Sequence, residues 1–174
     1  MLDEQFAREF GERYVQAWNS HDADRLEPLV TPEVIWLDPA LPEPARGVAE
    51  VQDFMRASWV AFPDLRFTPG PMWLDPHEDS VTWAWRMEGT HSGPLDPPGF
   101  APTGRQVDID GIDVWDFVDG RIDRYRAYYD MALVARQLGV MPGPGSRGER
   151  VGVMLQRASA RFTRRSATAP DIGT

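Results

Sequence analysis

Cysteine and lysine are both absent from the 174 residues. The first absence removes disulfides, thiol nucleophiles and thiolate metal ligands. The second removes Schiff-base chemistry through a side-chain amine and any lysine-bearing phosphate loop, since all 18 basic residues are arginine. Histidine is scarce, and His21, His77 and His91 show no metal-ligand spacing. Long apolar runs are missing too: Val34-Ile35-Trp36-Leu37 falls far short of the ~20 residues that a membrane span needs. No N-terminal stretch resembles a signal peptide, so a cytoplasmic protein with no integral membrane association is expected.

What is present fits one folded domain of ordinary size, with 42% apolar and 26% charged residues. The net charge of −9 is unevenly placed. Residues 1–146 carry 25 acids and 12 arginines, a net −13, whereas 147–174 carry six arginines and two acids, a net +4. An acidic body repels phosphate backbones, so no nucleic-acid partner is expected.

Phe6, Phe10, Tyr14 and Trp18 recur every fourth residue and predict a helix with an aromatic stripe over 2–19. A short helical piece follows over Ala23 to Leu29, then a strand over Val34 to Leu37 that ends at Asp38. Val48, Val51, Phe54, Met55, Trp59 and Phe62 give a helix from Gly47 that Pro63 stops. Strand patterns then cover Leu65 to Phe67, Met72 to Leu74, Ser80 to Glu88, Val107 to Phe117 and Ile122 to Tyr129. Asp119-Gly120 marks a hairpin between the last two. Asp130 to Leu138 reads as a closing helix, with Asp130 at its N-cap position and Gly139 ending it. Helices first and sheet after means α+β. Beyond a Met141 to Arg147 linker, Val151, Met154, Leu155, Ala158 and Phe162 share one face of an amphipathic helix over 148–164, with arginines off it.

Several phrases in this order resemble the SnoaL-like polyketide cyclase family of the nuclear transport factor 2-like superfamily. They are Tyr14-Val15-Gln16-Ala17-Trp18-Asn19, Ala61-Phe62-Pro63-Asp64-Leu65, Gly89-Thr90-His91-Ser92-Gly93, Pro102-Thr103-Gly104-Arg105, and Asp119-Gly120-Arg121-Ile122 running to Asp130 and Gln137-Leu138-Gly139. The resemblance implies a cone-shaped, curved mixed sheet wrapped around the N-terminal helices, with an apolar pocket at its open end. It also implies proton transfer by side chains, with no metal and no cofactor. The superfold hosts cyclases, isomerases, epoxide hydrolases and non-catalytic binders, so the reaction is argued from side chains.

Asp130 matches the position at which the family's cyclases carry a proton-abstracting carboxylate. That role requires burial to raise its pKa, and Tyr125, Tyr128 and Tyr129 are the neighbours expected to supply it. The alternative is a plain helix cap. Asp38 beside Tyr14 is a second acid/base pair, of the kind the resemblance gives to epoxide-opening cyclases, although an aspartate before Pro39 also suits a turn. His91, in a glycine-flanked loop, is a candidate to hydrogen-bond a substrate carbonyl. Asp64 is either a pocket residue or a cap. Arg86-x-Glu88 resembles the Arg-x-Asp pair of limonene epoxide hydrolase, but that enzyme's second aspartate would fall at Ala127. Asp113 shares a strand face with Val107, Ile109, Gly111, Trp115 and Phe117, and a carboxyl among apolar neighbours needs a partner or a job. Trp36, Phe54, Trp59, Trp115, Tyr125 and Tyr129 are candidates for the pocket wall.

The expected organisation is a SnoaL-like domain over 1–140, a linker over 141–147 and a helical extension over 148–174. The expected function is cofactor-independent ring closure or isomerisation of an apolar, oxygen-bearing small molecule. Epoxide opening through Asp38 and ligand binding without turnover are the alternatives. A homodimer joined through the outer sheet face is expected from Ile112, Val114 and Val118, and the basic helix is expected to dock on the acidic body.

Overall fold

The computed structural model describes residues 2–75 and 77–166, the side chains of 161–166 excepted. The order is α1 (Glu4–Asn19), a 3₁₀ helix (Ala23–Leu29), β1 (Val30–Leu37), β2 (Ala45–Arg46), α2 (Gly47–Ala61), β3 (Arg66–Asp75), β4 (Ser80–Thr90), β5 (Gln106–Val118), β6 (Arg121–Tyr129), α3 (Met131–Leu138) and α4 (Arg147–Ser166). The six strands form one sheet in the order β2-β1-β6-β5-β4-β3. The β1/β6 pair is parallel and every other pair is antiparallel. The sheet curls around α1, giving the α+β cone that the sequence resemblance implies.

α1 starts where the Asp3 carboxylate accepts the Phe6 N–H at 2.7 Å. Its aromatic stripe faces the concave side of the sheet. Phe10 lies 5.5 Å from Trp115, and Tyr14 lies 5.5 Å from Trp83. Along β5 burial alternates strictly, because inward residues pack under α1 while Asp108, Asp110 and Ile112 face out. Asp119 and Gly120 both take positive φ, the geometry of a two-residue type I′ turn, and join β5 to β6. Gly111 is required by packing: the Trp85 indole lies across it from β4, where any Cβ would collide with the ring.

One expectation about the sheet needs correcting. The Leu65 to Phe67 and Met72 to Leu74 patterns are one strand, β3, running through Pro69-Gly70-Pro71 with a register shift between Pro69 and Met72. β3 is an edge strand, so its prolines cost no ladder bond on the open side. β2 is a two-residue pairing with Ile35 and Trp36, too short to show a period in sequence.

The C-terminal helix forms as expected, but among its described residues the apolar side chains are not docked on their own chain. Val151, Met154 and Leu155 are exposed, Leu155 to 67%.

Candidate functional site

A cavity of about 90 Å³ opens at the wide end of the cone. α1 contributes Trp18, α2 contributes Phe54 and Ser58, and β4 contributes Trp85 and Met87. β6 brings Tyr125 and Tyr129, α3 brings Met131 and Val134, and the loop after β4 closes over with Leu95, Asp96 and Pro97. The wall is mostly apolar, and among the described residues no arginine or histidine is part of it.

Asp38 is the carboxyl set deepest in this wall. It ends β1, where the chain turns, and its Oδ1 accepts both the Tyr129 hydroxyl at 2.7 Å and the Ala40 N–H at 2.8 Å. Both bonds fall on one oxygen, so Oδ2 has no hydrogen-bond partner among the described residues. Burial pushes the Asp38 pKa up, against the lowering effect of those two donors. The result is a carboxyl oriented through one oxygen and available through the other, with basicity above that of a solvated aspartate.

Asp113 lies directly behind the Trp85 and Tyr125 wall, 1% exposed. Its Oδ1 accepts Trp85 Nε1–H at 2.7 Å and the Tyr125 hydroxyl at 2.8 Å, and Tyr14 donates to Oδ2 at 3.5 Å. Burial overcomes all three donors and drives the pKa to about 8, with the Asp38 charge adding to the rise. At neutral pH this carboxyl keeps its proton. Burial also holds the Tyr14 and Tyr125 hydroxyls neutral by raising their pKa values. Trp36 stacks on Tyr125 with ring centroids 3.5 Å apart and 9° between planes, which fixes that ring. The cone thus places two carboxyls of raised pKa close together, Asp38 in the cavity wall and Asp113 a single hydroxyl behind it.

The SnoaL-like polyketide cyclase model matches residues 8–138. The chain belongs to this family. Among solved structures, TsrD from Streptomyces laurentii superposes with a TM-score of 0.71 at 23% identity, covering 81% of this chain and 100% of its own. A protein of Acidithiobacillus ferrooxidans assigned as a polyketide cyclase gives 0.68 at 25% identity, covering 82% and 100%. SalBIII, an epoxide hydrolase/cyclase-like enzyme with a role in pyran ring formation in the polyether salinomycin, gives 0.62 at 26% identity, covering 76% and 96%. The search of curated proteins finds no match.

Within this SnoaL-like frame the candidates of the sequence separate. Asp38, Phe54, Tyr125 and Tyr129 come together in the cavity wall, with Tyr14 and Asp113 immediately behind. Asp130 does not join them. It caps α3, accepting the Leu133 N–H at 2.9 Å and pairing with Arg136 at 3.2 Å, and the Leu133 bond in particular holds its pKa below the usual carboxylate range. The burial expected around it is missing because Tyr125 and Tyr129 point into the cone and Tyr128 points out. His91 is buried outside the cavity wall, 5.4 Å from Phe62, with Nδ1 3.1 Å from Thr103 Oγ1 and its pKa lowered by burial.

Asp64 anchors the end of β4 by accepting the Thr90 N–H and hydroxyl, which lower its pKa. Arg86 stands on the outer face with Glu88 and binds both oxygens of Asp108 across the sheet. Trp36 and Trp115 are core residues, and Trp59 stacks on His21. The sequence reading missed the Ala40 N–H, the Trp85 donor and the Leu95–Pro97 cover. Of these only Trp85 left a signal, its inward place in the alternation of β4.

Proposed function

We propose that this SnoaL-like chain is an enzyme that closes a ring within an apolar, hydroxylated, polyketide-type substrate, with Asp38 as the proton-accepting group. The observation that carries the reading is the unpartnered Oδ2 of a carboxyl whose pKa is raised, in the wall of a mostly apolar cavity. In the proposed step, Oδ2 takes the proton of a substrate hydroxyl as its oxygen bonds to an electrophilic carbon of the same molecule. The displaced electron pair settles on a second substrate oxygen. That oxygen is protonated from the Tyr125 hydroxyl, which turns from Asp113 toward the substrate, and the proton held by Asp113 then passes to the tyrosyl oxygen. Once product leaves, the proton on Asp38 returns to Asp113 by way of water in the cavity and the Tyr125 hydroxyl, which restores the starting state, so the net reaction is an isomerisation and needs no co-reactant.

The electrophile distinguishes two forms of this reading. An epoxide carbon fits the likeness to SalBIII and the place of Asp38. A carbon conjugated to a carbonyl fits the wider cyclase family. Matched hydroxy-epoxides and hydroxy-enones incubated with the protein, followed by mass spectrometry and NMR of the product, test the proposal. Ring-closed isomers of one class are expected. Quenching of Trp18 or Trp85 fluorescence by both classes with neither converted would make the cavity a binding site only.

The assembly proposed is a homodimer through the outer sheet face. Ile112, Val118 and Tyr128 are exposed there, 41%, 50% and 56%. Sedimentation at micromolar concentration is expected to give twice the chain mass, and a mass near 20 kDa refutes it.

A further inference from the structure

The family match ends at residue 138, and TsrD is covered completely by 81% of this chain, so α4 is an addition to the SnoaL-like frame. It is a 20-residue helix, about 30 Å long. One face carries Val151, Met154 and Leu155, the last two 69% and 67% exposed, and arginines flank it at 147, 150 and 157. Apolar area of this kind is seldom left uncovered.

A second concavity is larger than the cavity beside Asp38. It is an open groove of about 970 Å³ between α1 and the edge strand β3. Its floor is apolar, formed by Ala7, Val15, Met72 and Leu74, and Trp73, which is 55% exposed, stands at its β3 edge. Its rim carries Glu4 and Glu12, one turn either side of Arg8. The groove runs along α1, a helix of about 24 Å, so it suits a helix laid beside it. An apolar stripe flanked by arginine therefore has, on the same molecule, an apolar trough edged by glutamate, and the body behind that trough carries the net −13 that opposes the tail's +4.

We propose that α4 of one copy lies in the α1/β3 groove of a second copy. α4 leaves its own body with its stripe uncovered, so a partner's groove is the surface it is presented to. Reciprocal exchange covers two stripes and two grooves about the same two-fold axis as the outer-face contact, so a single dimer carries both. An anionic membrane is the less suited occupant, because it attracts the arginines of α4 but repels the acidic body.

The absence of cysteine makes the test clean. Leu155→Cys is introduced in one batch of full-length protein and Trp73→Cys in another. Both positions are exposed, so the fold is retained, which unchanged melting temperatures will verify. The two batches are mixed and oxidised with oxidised glutathione. The expected result is a mixed disulfide joining two chains, about tenfold or more above that from pairing Leu155→Cys with Glu27→Cys on the exposed 3₁₀ helix. A yield no higher than this control overturns the proposal. So does closure of the disulfide within single chains when both cysteines are placed in one diluted protein. Co-sedimentation with phosphatidylserine vesicles without the mixed disulfide would assign α4 to a lipid surface and overturn it as well.

Discussion

Asp38→Asn is expected to lower the single-turnover rate of ring closure by about 10²- to 10⁴-fold, the usual contribution of a positioned general base. The substitution is close to isosteric. Its amide oxygen can take the same two donors, the Tyr129 hydroxyl and the Ala40 N–H, so the turn after β1 should persist. What it loses is the capacity to accept a proton at the second position. Asp130→Asn is the matched comparator and should leave the rate unchanged, because that side chain faces solvent and caps α3. Asp130→Ala should lower the melting temperature through the lost cap and change nothing in the chemical step. A normal rate in Asp38→Asn would remove Asp38 from the mechanism. A dead Asp130→Asn enzyme would return the base to the position marked by the family resemblance.

The second large effect is on stability. Asp113 has a folded pKa of about 8 against an ordinary carboxylate value of 3.8, so between those values the folded protein holds a proton that the unfolded chain has released. The contribution of this group is fully present below the unfolded value, declines as pH rises, and is gone once pH passes about 8. One proton difference amounts to about 1.4 kcal/mol per pH unit, several kcal/mol across the window as an order of magnitude. Asp113→Asn is uncharged throughout and keeps an acceptor for Trp85 and Tyr125. Its urea midpoint should therefore fall less between mildly acidic conditions and about pH 9 than that of the parent, with the two curves diverging as pH rises. Parallel curves would mean that Asp113 is ionised in the folded protein. The same variant should slow ring closure, since the Tyr125 hydroxyl would lose its proton source.

Much of the frame was legible in the chain. The four-residue aromatic stripe of α1, the strict alternation of β5 and the Asp119-Gly120 turn are each local signals with a single geometric reading, and each forms as read. Asp113 was legible for the same reason, since alternation alone puts a carboxyl on an apolar face. Asp38 was visible as a strand end but not as an oriented group, because its partner Tyr129 lies 91 residues away in sequence. Asp130 shows the opposite difficulty. A cap and a catalytic base share one sequence position, and only the direction of the strand before it decides which side of the wall the carboxyl reaches. The cover over the cavity, Leu95 to Pro97, lies in a loop with no period at all, so nothing in the sequence ties it to α2 or β6.

The passage of β3 through Pro69-Gly70-Pro71 has a consequence for what can approach this side of the molecule. A long outermost strand normally offers a row of unpaired N–H and C=O groups, a template for adding an extended peptide or for cross-β stacking. Here two prolines remove donors from the middle of that row, and the register shift beside them bends it. An extended chain finds no continuous ladder to extend, whereas a helix, whose backbone bonds are already made, needs none.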